Sequence, residues 1–584
     1  MIVKWHFLFL LALVSLKSQA QRGGDGSALI PDIKQCSFIT TDRAIYNPRE
    51  RVQFIVLRTL PGGTRVRYRH LDSVIADREA SGSYWYWAPP LKDFTGYLVE
   101  LYRKIDGKYD VLSSIAVDVS SDWSRYPRYG FLSKYGQLSK SSIEKHIDFL
   151  NRCHINGLQF YDWQSKHHEP LAGTVQSPAA HWKDIANRDT YLKTVREYIS
   201  TAHQHHIKCL FYNLIYGALK DASPDSVSDR WYAYTDPQHK AKEVFRLPGW
   251  FVSDIYLLDP SNTGWQHYLA AQNKKVYQVL DFDGYHVDQL GNRDKNLYDF
   301  NGKQINLPST FAGFIESMKS SAPDKAIVMN SVNQYGQPGL ARSRVDFLYT
   351  EVWPPNDSFR DLSRIIKEND SLSAGLKKTV LTAYMDYKIS ENPGYFNSSG
   401  VLLTDAVIFS FGATHLELGE HMLGREYFPS DKLLMKEDLQ KTIIRYYDFQ
   451  VAYENLLENG GNWNAPDLRT SSPECSLAAW PAGKGKVAVI GRKLGNRQII
   501  QLINFSQANS MEWRDSYGKQ AEPKPIRNAV FSFTGSGKVK RIWYASPDHC
   551  AGIPVIIPFS KQAGDRIAFK LPYLKYWDML VVDY

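Results

Sequence analysis

The chain of 584 residues contains only five cysteines, at positions 36, 153, 209, 475 and 550. None of them has the spacing of a metal-binding motif, and none lies in a motif that would activate a catalytic thiol. Cys153 and Cys209 lie in apolar segments, as core cysteines do. Cys475 and Cys550 fall in one C-terminal segment, where they could form a disulfide or stay free. The cysteines therefore predict neither a metal centre nor a thiol nucleophile.

A run of basic residues is also missing, although the net charge is +9. Lys and Arg are spread along the chain, so we expect no nucleic-acid partner. After the N-terminus, no segment reaches the roughly 18 consecutive apolar residues of a membrane span.

The N-terminus has the pattern of a secretory signal peptide. Lys4 precedes a short apolar run at residues 7–16, and the small residues of Ser18-Gln19-Ala20 follow. We expect a signal peptide over residues 1–20 and a flexible linker over residues 21–35. The mature protein is then expected to be soluble, and secreted, periplasmic or attached to the surface of a bacterial cell.

Aromatic residues, by contrast, are abundant, with 36 Tyr and 15 Trp. Their apolar faces and polar tips suit the apolar faces and hydroxyls of sugar rings. This composition is typical of glycan-binding proteins, although large β-rich proteins also carry many Tyr and Trp.

Three regions differ in their pattern of apolar residues. Over residues 36–121, short alternating runs are separated by turn signals, which predicts an all-β sandwich. Over residues 122–465 we count eight strand-then-helix units, the last strand being expected at residues 407–418, and this count predicts a (β/α)8 TIM barrel. An open doubly wound sheet is the alternative, but no glycine-rich phosphate loop follows the first strand. Residues 466–584 return to short strands and predict a second, antiparallel β domain.

Polar residues stand where the predicted strands end, and in a (β/α)8 barrel those ends form the active site. They are Asp162-Trp163, Asn213, Asp288-Gln289, Asn330, Glu351, Asp386 and Glu417, and His167-His168 comes soon after the second strand. A His cluster with metal spacing and a Ser nucleophile elbow are both missing. Paired carboxylates beside aromatic residues are typical of glycosidic bond cleavage, in which one carboxyl is the nucleophile or base and the other the acid.

Strand alternation narrows the choice to two carboxylates. His286 and Asp288 share one face of their strand, and Tyr349 and Glu351 share one face of theirs. Asp288 alone could equally be a helix N-cap. Glu351 is a poor cap, because a rigid Trp-Pro-Pro loop begins two residues later, and Glu417 could pair with a nearby cation instead of facing the site.

At these residues the sequence resembles glycoside hydrolase family 66, the dextranases and cycloisomaltooligosaccharide glucanotransferases. The resemblance extends over nearly the whole mature chain, and its carriers are TTDRAIYNPRERVQF, QFYDWQSKHHEP, FYNLIYGA, FDGYHVDQLGNR, YTEVWPP and KLPYLKYWDMLVV. It implies an N-terminal immunoglobulin-like domain, a (β/α)8 catalytic barrel and a C-terminal β domain.

The resemblance also implies a retaining mechanism on α-1,6-glucan. We expect neither a cofactor nor a metal. Asp288 matches the family's nucleophile and Glu351 its acid/base. Residues expected to contact sugar are Asp162, Trp163, His168, Asn213, Tyr216, His286, Gln289, Asn330, Trp353, Asp386 and Glu417.

The expected substrate is dextran, and we expect a monomer. The glucanotransferases of this family resemble longer chains that carry a carbohydrate-binding module inserted within the barrel region. We find no insertion of that size between strands six and eight, so we expect a dextranase. A transglycosylase that makes cyclic or linear isomaltooligosaccharides is the second hypothesis. A non-catalytic glycan-binding protein is the third, and the presence of both Asp288 and Glu351 argues against it.

Overall fold

The computed structural model describes residues 33–535 and 538–584. The predicted signal peptide and most of the predicted linker therefore lie outside the described residues. The described part begins with a short helix, Ile33–Cys36. Within these two ranges, no helix is long and apolar enough to cross a membrane.

Two antiparallel sheets follow the first helix. The three-stranded sheet contains Ile39–Thr41, Val52–Val56 and Tyr84–Trp87, and the four-stranded sheet contains Arg65–His70, Ser73–Glu79, Thr95–Ile105 and Lys108–Val119. Buried side chains from both sheets, such as Phe54 and Val99, belong to one hydrophobic cluster. The two sheets therefore pack face to face.

The central region contains eight parallel strands. We label them β1 to β8: Tyr129–Leu132, Gly157–Phe160, Lys208–Leu214, Gly284–Asp288, Ala326–Met329, Leu348–Glu351, Thr379–Thr382 and Thr414–Leu416. Strands β1 to β5 form one sheet in chain order, and β6 to β8 form a second. Isolated bridges from Asn330 to Tyr349 and from Phe131 to Gly419 join the two sheets at both edges.

A helix follows each of these strands. We label them α1 to α8: Lys140–Arg152, Leu192–Gln204, Thr263–Val279, Leu307–Ser321, Gln337–Arg342, Phe359–Leu372, Ser398–Ser410 and Glu437–Ala452. Side-chain caps begin several of them, and Ser358 and Asp361 form a capping box at the start of α6. Short strand pairs lie in the connections: His181–Lys183 with Asp189–Tyr191, Val244–Phe245 with Ile255–Tyr256, Leu297–Tyr298 with Gln304–Ile305, and Gly394–Tyr395 with Leu433–Leu434.

Strand alternation separates two cores. One cluster joins side chains of both parallel sheets, among them Tyr129, Leu210, Phe347 and Leu416, and we call it the inter-sheet core. Residues of the opposite alternation pack with the helices in a second cluster, which we call the helix-side core. In β4 these residues are Tyr285 and Val287.

Two helices differ from the sequence prediction. The strand expected over residues 407–418 is wrong at its start, because Val407–Ser410 end α7 and β8 begins only at Thr414. Every described residue of α7 after its first is buried, so its sequence has no amphipathic period to mark it as a helix. The short helix α5 was also not predicted.

The C-terminal region consists of two further sheets that share one hydrophobic cluster. The larger contains Asn462–Asn464, Leu477–Ala479, Val487–Leu494, Arg497–Asn504, Arg541–Ala545, Val555–Ile556 and Trp577–Asp583. The smaller contains Leu468–Thr470, Ile526–Thr534, Phe559–Gln562 and Arg566–Leu574. Cys475 and Cys550 are both free thiols, so they do not form the disulfide that the sequence left open.

Candidate active site

The two central carboxylates stand at the carboxyl ends of β4 and β6. Asp288 is the last residue of β4 and Glu351 the last of β6. Between them, Asn330 comes directly after β5. Because the carboxyl ends of parallel strands meet at one edge of a sheet, the three side chains converge.

Asn330 bridges the two carboxylates. Its side-chain Nδ2 donates to Asp288 Oδ1 over 2.8 Å and to Glu351 Oε2 over 3.1 Å. Its Oδ1 accepts from the backbone N–H of Glu351 over 3.2 Å. The two carboxylate oxygens are therefore no farther apart than the sum of the first two distances.

Each carboxylate also accepts a tyrosine hydroxyl. Tyr212 of β3 donates to Asp288 Oδ2 over 2.8 Å, and Tyr384, two residues after β7, donates to Glu351 Oε1. Neither tyrosine was predicted, because the sequence prediction considered polar residues at strand ends, and both tyrosines resemble residues of the hydrophobic core. Alternation from Leu210 and Val380, which face the inter-sheet core, would have placed both on the inner side.

The two carboxyl groups differ in their electrostatic surroundings. Burial, and then the neighbouring charge of Asp288, raise the pKa of Glu351 to about 7. Burial also raises the pKa of Asp288. Hydrogen bonds act in the opposite direction at both groups, from the Gln289 backbone, Tyr212 and Asn330 at Asp288 and from Tyr384, Asn330 and Trp353 at Glu351. Because the charge of Asp288 additionally raises the pKa of Glu351, Glu351 is the group better suited to hold a proton near neutral pH.

Aromatic rings line both sides of the carboxylate pair. Trp353, which is partly exposed, lies 5.3 Å from the Tyr384 ring and 5.8 Å from the Tyr387 ring, measured between centroids. On the Asp288 side, the ring of Tyr161 lies 4.7 Å from that of Tyr212. Such faces can pack against sugar rings.

Of the other predicted sugar contacts, three lie next to Asp288 but are bonded within the protein. His286 is buried below it, where Tyr129 Oη lies 3.2 Å from its Nδ1, and burial lowers the pKa of His286 to about 3. Gln289 Oε1 accepts from Gly291 N over 2.6 Å, and Tyr216 Oη accepts from Leu290 N over 2.8 Å. Gln289 and Tyr216 thus hold the turn that follows β4.

Three more predicted contacts anchor the loops after β2 and β3. Asn213 is fully buried and donates to the His167 carbonyl over 2.8 Å. His168 Nε2 lies 2.8 Å from Asp225 Oδ2. Asp162 is buried, which raises its pKa to about 8, and its backbone carbonyl accepts from Arg188. Their buried positions and internal bonds favour a structural role over contact with a substrate.

The structure places three predicted contacts away from the carboxylate pair. Trp163 packs against Trp182, Phe211 and Phe282 in the helix-side core. Asp386 accepts from Asn397 N over 2.7 Å. Glu417 accepts from Tyr447 of α8 over 3.1 Å. Each of these three side chains is nearly or fully buried and contacts other elements of the protein, which favours a structural role over contact with a substrate.

A left-handed backbone accounts for the placement of two of these residues, Trp163 and Asp386. Asp162 and Asp386 have positive φ values of 49° and 54°, a left-handed conformation that interrupts strand alternation. The face of Trp163, the next residue, therefore does not follow from the pattern of β2.

Two groups of side chains have donor atoms close enough to hold a metal ion, and both lie apart from the carboxylate pair. Within the described ranges, they are Asp405, His415 and Glu417, and His203, Cys209 and Asp283. Neither group is a spacing motif along the sequence.

Comparison with known proteins identifies the family to which this arrangement belongs. The family model described as glycosyl hydrolase family 66 matches residues 41–581. The chain belongs to glycosyl hydrolase family 66. Membership makes it a glycoside hydrolase and confirms the resemblance found in the sequence.

The relatives within family 66 carry two names. A cycloisomaltooligosaccharide glucanotransferase of Niallia circulans is 26% identical over 93% of this chain and 71% of its own length. A dextranase of Streptococcus salivarius is 24% identical over 84% of this chain and 68% of its own. A Paenibacillus sp. cycloisomaltooligosaccharide glucanotransferase, solved with cycloisomaltoheptaose, is similar in fold, with a TM-score of 0.85 and 24% identity over 94% of this chain and 99% of that one.

Proposed function

We propose that the protein is an endo-acting dextranase that cleaves α-1,6-glucosidic linkages with retention of configuration and releases isomaltooligosaccharides. The observation that carries this proposal is the Asn330 amide, which contacts the carboxylates of both Asp288 and Glu351. A bridge of this length holds the two carboxyls close enough for both to act on one glycosidic bond.

The distance between the carboxylates supports retention. An inverting enzyme keeps its two carboxyls about 6.5–9.5 Å apart to admit a water, whereas a retaining enzyme keeps them about 5–5.5 Å apart. The two hydrogen bonds to Asn330, of 2.8 and 3.1 Å, hold one oxygen of each carboxyl no farther apart than the sum of these distances, and this close approach favours the spacing of a retaining enzyme.

The proposed reaction is a double displacement. Protonated Glu351 donates to the glycosidic oxygen while Asp288 attacks the anomeric carbon, which gives a β-linked glycosyl-enzyme and a free leaving chain. Glu351, now a carboxylate, takes a proton from water, and the hydroxide attacks the anomeric carbon with a second inversion that releases Asp288. The pKa of Glu351, which burial and the charge of Asp288 raise to about 7, supports this division of roles.

A cycloisomaltooligosaccharide glucanotransferase is the second candidate, and the names of two relatives favour it. Its glycosyl-enzyme would be attacked by a sugar hydroxyl instead of water. Support for the dextranase comes from residues 352–413, between β6 and β8, which contain α6, β7 and α7. This length leaves no room for an inserted domain.

The remaining expectations complete the proposal. The eight parallel strands and their two edge bridges support a closed (β/α)8 barrel over residues 122–465. The sheet pairs before and after it support an immunoglobulin-like β-sandwich at residues 36–121 and a β-sandwich at residues 466–584. We further propose export through residues 1–20 and action as a monomer on dextran, without a cofactor.

Product analysis tests the activity. On dextran we expect a rapid fall in viscosity and linear isomaltooligosaccharides, whereas ring-shaped products would establish the glucanotransferase. A protein that binds dextran but releases no reducing ends would support the non-catalytic hypothesis.

Chemical rescue tests the nucleophile. Asp288→Gly should be inactive on dextran and, with azide and an activated α-glucosyl substrate, should form the β-glucosyl azide. Asp281→Asn is the matched control, because Asp281 is an exposed acid just before β4, and it should keep wild-type activity. Full activity of Asp288→Asn would refute the assignment.

A further inference from the structure

A buried polar cluster lies on the helix side of β7 and β8. It contains Asp405 of α7, His415 of β8 and Glu417, which are at most 1% exposed. His415 Nδ1 lies 2.8 Å from Asp405 Oδ1 and 3.5 Å from Glu417 Oε2. Tyr447 Oη donates to Glu417 Oε1. The cluster therefore ties the end of β8 to both α7 and α8.

The second ring nitrogen of His415 bonds the neighbouring strand. Its Nε2 lies 2.8 Å from the backbone oxygen of Ala383. A carbonyl only accepts hydrogen bonds, so Nε2 carries the hydrogen. The regular β7–β8 pairing ends at Thr382 opposite Leu416, and the imidazole supplies a donor to the first residue beyond it.

The residue after Ala383 is Tyr384, the hydroxyl donor to Glu351. Tyr384 is buried, and its ring packs against Trp353. A tyrosine has two side-chain torsions, both restricted here by packing, so the position of its hydroxyl follows the backbone. The Ala383 carbonyl is the part of that backbone which His415 holds.

We propose that His415 is a positioning residue for Glu351. From the helix side, with Asp405 and Glu417 orienting its ring, it holds the Ala383 carbonyl and thereby the placement of Tyr384 against the Glu351 carboxylate. The inference rests on the proposed function, in which Glu351 is the acid/base. A displacement of about 1 Å at a reacting group can reduce the rate roughly 100-fold, so a residue two contacts away can affect catalysis.

Two substitutions at position 415 separate positioning from packing. The side-chain amide nitrogen of His415→Gln can occupy the Nε2 position and donate to Ala383, whereas His415→Asn reaches only the Nδ1 position. We expect His415→Asn to lower kcat on dextran about tenfold, with KM within about twofold, by analogy with small displacements of catalytic groups. His415→Gln should stay near the wild type.

The pH dependence of kcat/KM distinguishes positioning from packing, because a loss of packing alone would not shift the pKa of Glu351. The hydrogen bond from Tyr384 acts to lower the pKa of Glu351, so loosening Tyr384 should move the basic limb of kcat/KM to higher pH. His415→Asn and Tyr384→Phe should shift this limb in the same direction, and the double variant should shift it little further. Tyr447→Phe, which breaks the cluster on the α8 side only, should leave the limb unchanged.

Three outcomes would overturn the inference: a wild-type basic limb in His415→Asn, equal damage in His415→Gln and His415→Asn, or a limb shift in Tyr447→Phe as large as that in His415→Asn. Thermal unfolding identifies variants that do not fold. If His415→Asn is among them, Asp405→Asn, which leaves His415 in place without its carboxylate, must shift the limb upward, and an unchanged limb refutes the proposal. Glu351→Gln separates the positioning role of His415 from the proposed function, because retained activity in this variant would refute the assignment of Glu351 as acid/base itself.

Discussion

Replacing Asn330 by Ala should change both limbs of the pH profile. The substitution removes the donor that bonds Asp288 over 2.8 Å and Glu351 over 3.1 Å. Both bonds favour the ionised carboxylate and so act to lower the pKa of each group. Without them, both pKa values should rise. The acid limb, set by ionisation of Asp288, and the basic limb, set by loss of the Glu351 proton, should then both move to higher pH.

The magnitude follows from the worth of a hydrogen bond to a charged group, which is about 1.5–3 kcal/mol. Since one pKa unit corresponds to roughly 1.4 kcal/mol, the acid limb should move by about one to two units. The basic limb should move less, because the bond to Glu351 is longer. Misalignment of the pair should also lower kcat/KM by about 10- to 100-fold.

The assay is the release of reducing ends from soluble dextran across the range from acid to alkaline pH, with kcat/KM determined at each value. Asn273→Ala is the matched control, because Asn273 is a buried amide of α3 that donates to Met318. It should lose some stability and keep both limbs. If Asn330→Ala keeps the wild-type acid limb and a kcat/KM within about threefold, the bridge has no catalytic role.

Three further results follow from the structure. The wild-type kcat/KM should fall above about pH 7, where Glu351 loses its proton, and Glu351→Ala should lack this limb yet still form the glycosyl-enzyme from substrates with good leaving groups. Tyr212→Phe removes one donor from Asp288 and should move the acid limb upward by about one to two units without moving the basic limb; a shift of the basic limb alone would exchange the assigned roles. Asp448 of α8 accepts from Arg152, His154 and the backbone of Ala116 in the N-terminal sheets, so Asp448→Asn should cost about 3–5 kcal/mol and lower Tm. Burial would raise the pKa of Asp448, but Arg152 and His154 outweigh burial and lower that pKa. The stabilisation by the Asp448 carboxylate is therefore present above the unfolded pKa of about 4 and is lost as the pH falls through the folded pKa. The Tm difference between Asp448→Asn and the wild type should then shrink in acid, and a constant difference would contradict the ion pair.

The sequence predicted the strand ends best where the backbone stays regular. In β4 and β6 the alternation of side chains holds up to Asp288 and Glu351. Counting every second residue therefore placed Asp288 on the same strand face as His286 and Glu351 on the same strand face as Tyr349. After β2 the left-handed backbone at Asp162 breaks the count, and Trp163 turns into the helix-side core. Sequence alone does not show where such a turn lies.

Glu417 illustrates a different limit. Near the end of β8, the inner position belongs to Leu416, which joins the inter-sheet core, and His415 and Glu417 therefore face the helices. The prediction of a sugar contact for Glu417 followed from its place at a strand end, and it left open a pairing with a nearby cation. Here Tyr447 of α8 and His415 of β8 supply its polar contacts on the helix side instead, and the sequence pattern does not show that these side chains meet.

Asn330 was predicted to bind sugar, and its contacts favour a different role. Its Oδ1 accepts the Glu351 N–H, which orients the amide so that Nδ2 faces the two carboxylates. A flipped amide would point its oxygen at both carboxylates and would be repelled. The two hydrogens of the Nδ2 group are then used, one for each carboxylate, so a sugar hydroxyl would have to break one of these bonds to accept from Asn330. The amide is therefore better explained as the group that holds the proposed nucleophile and the proposed acid at a fixed spacing, and this is why its removal should affect kcat/KM and both pH limbs together.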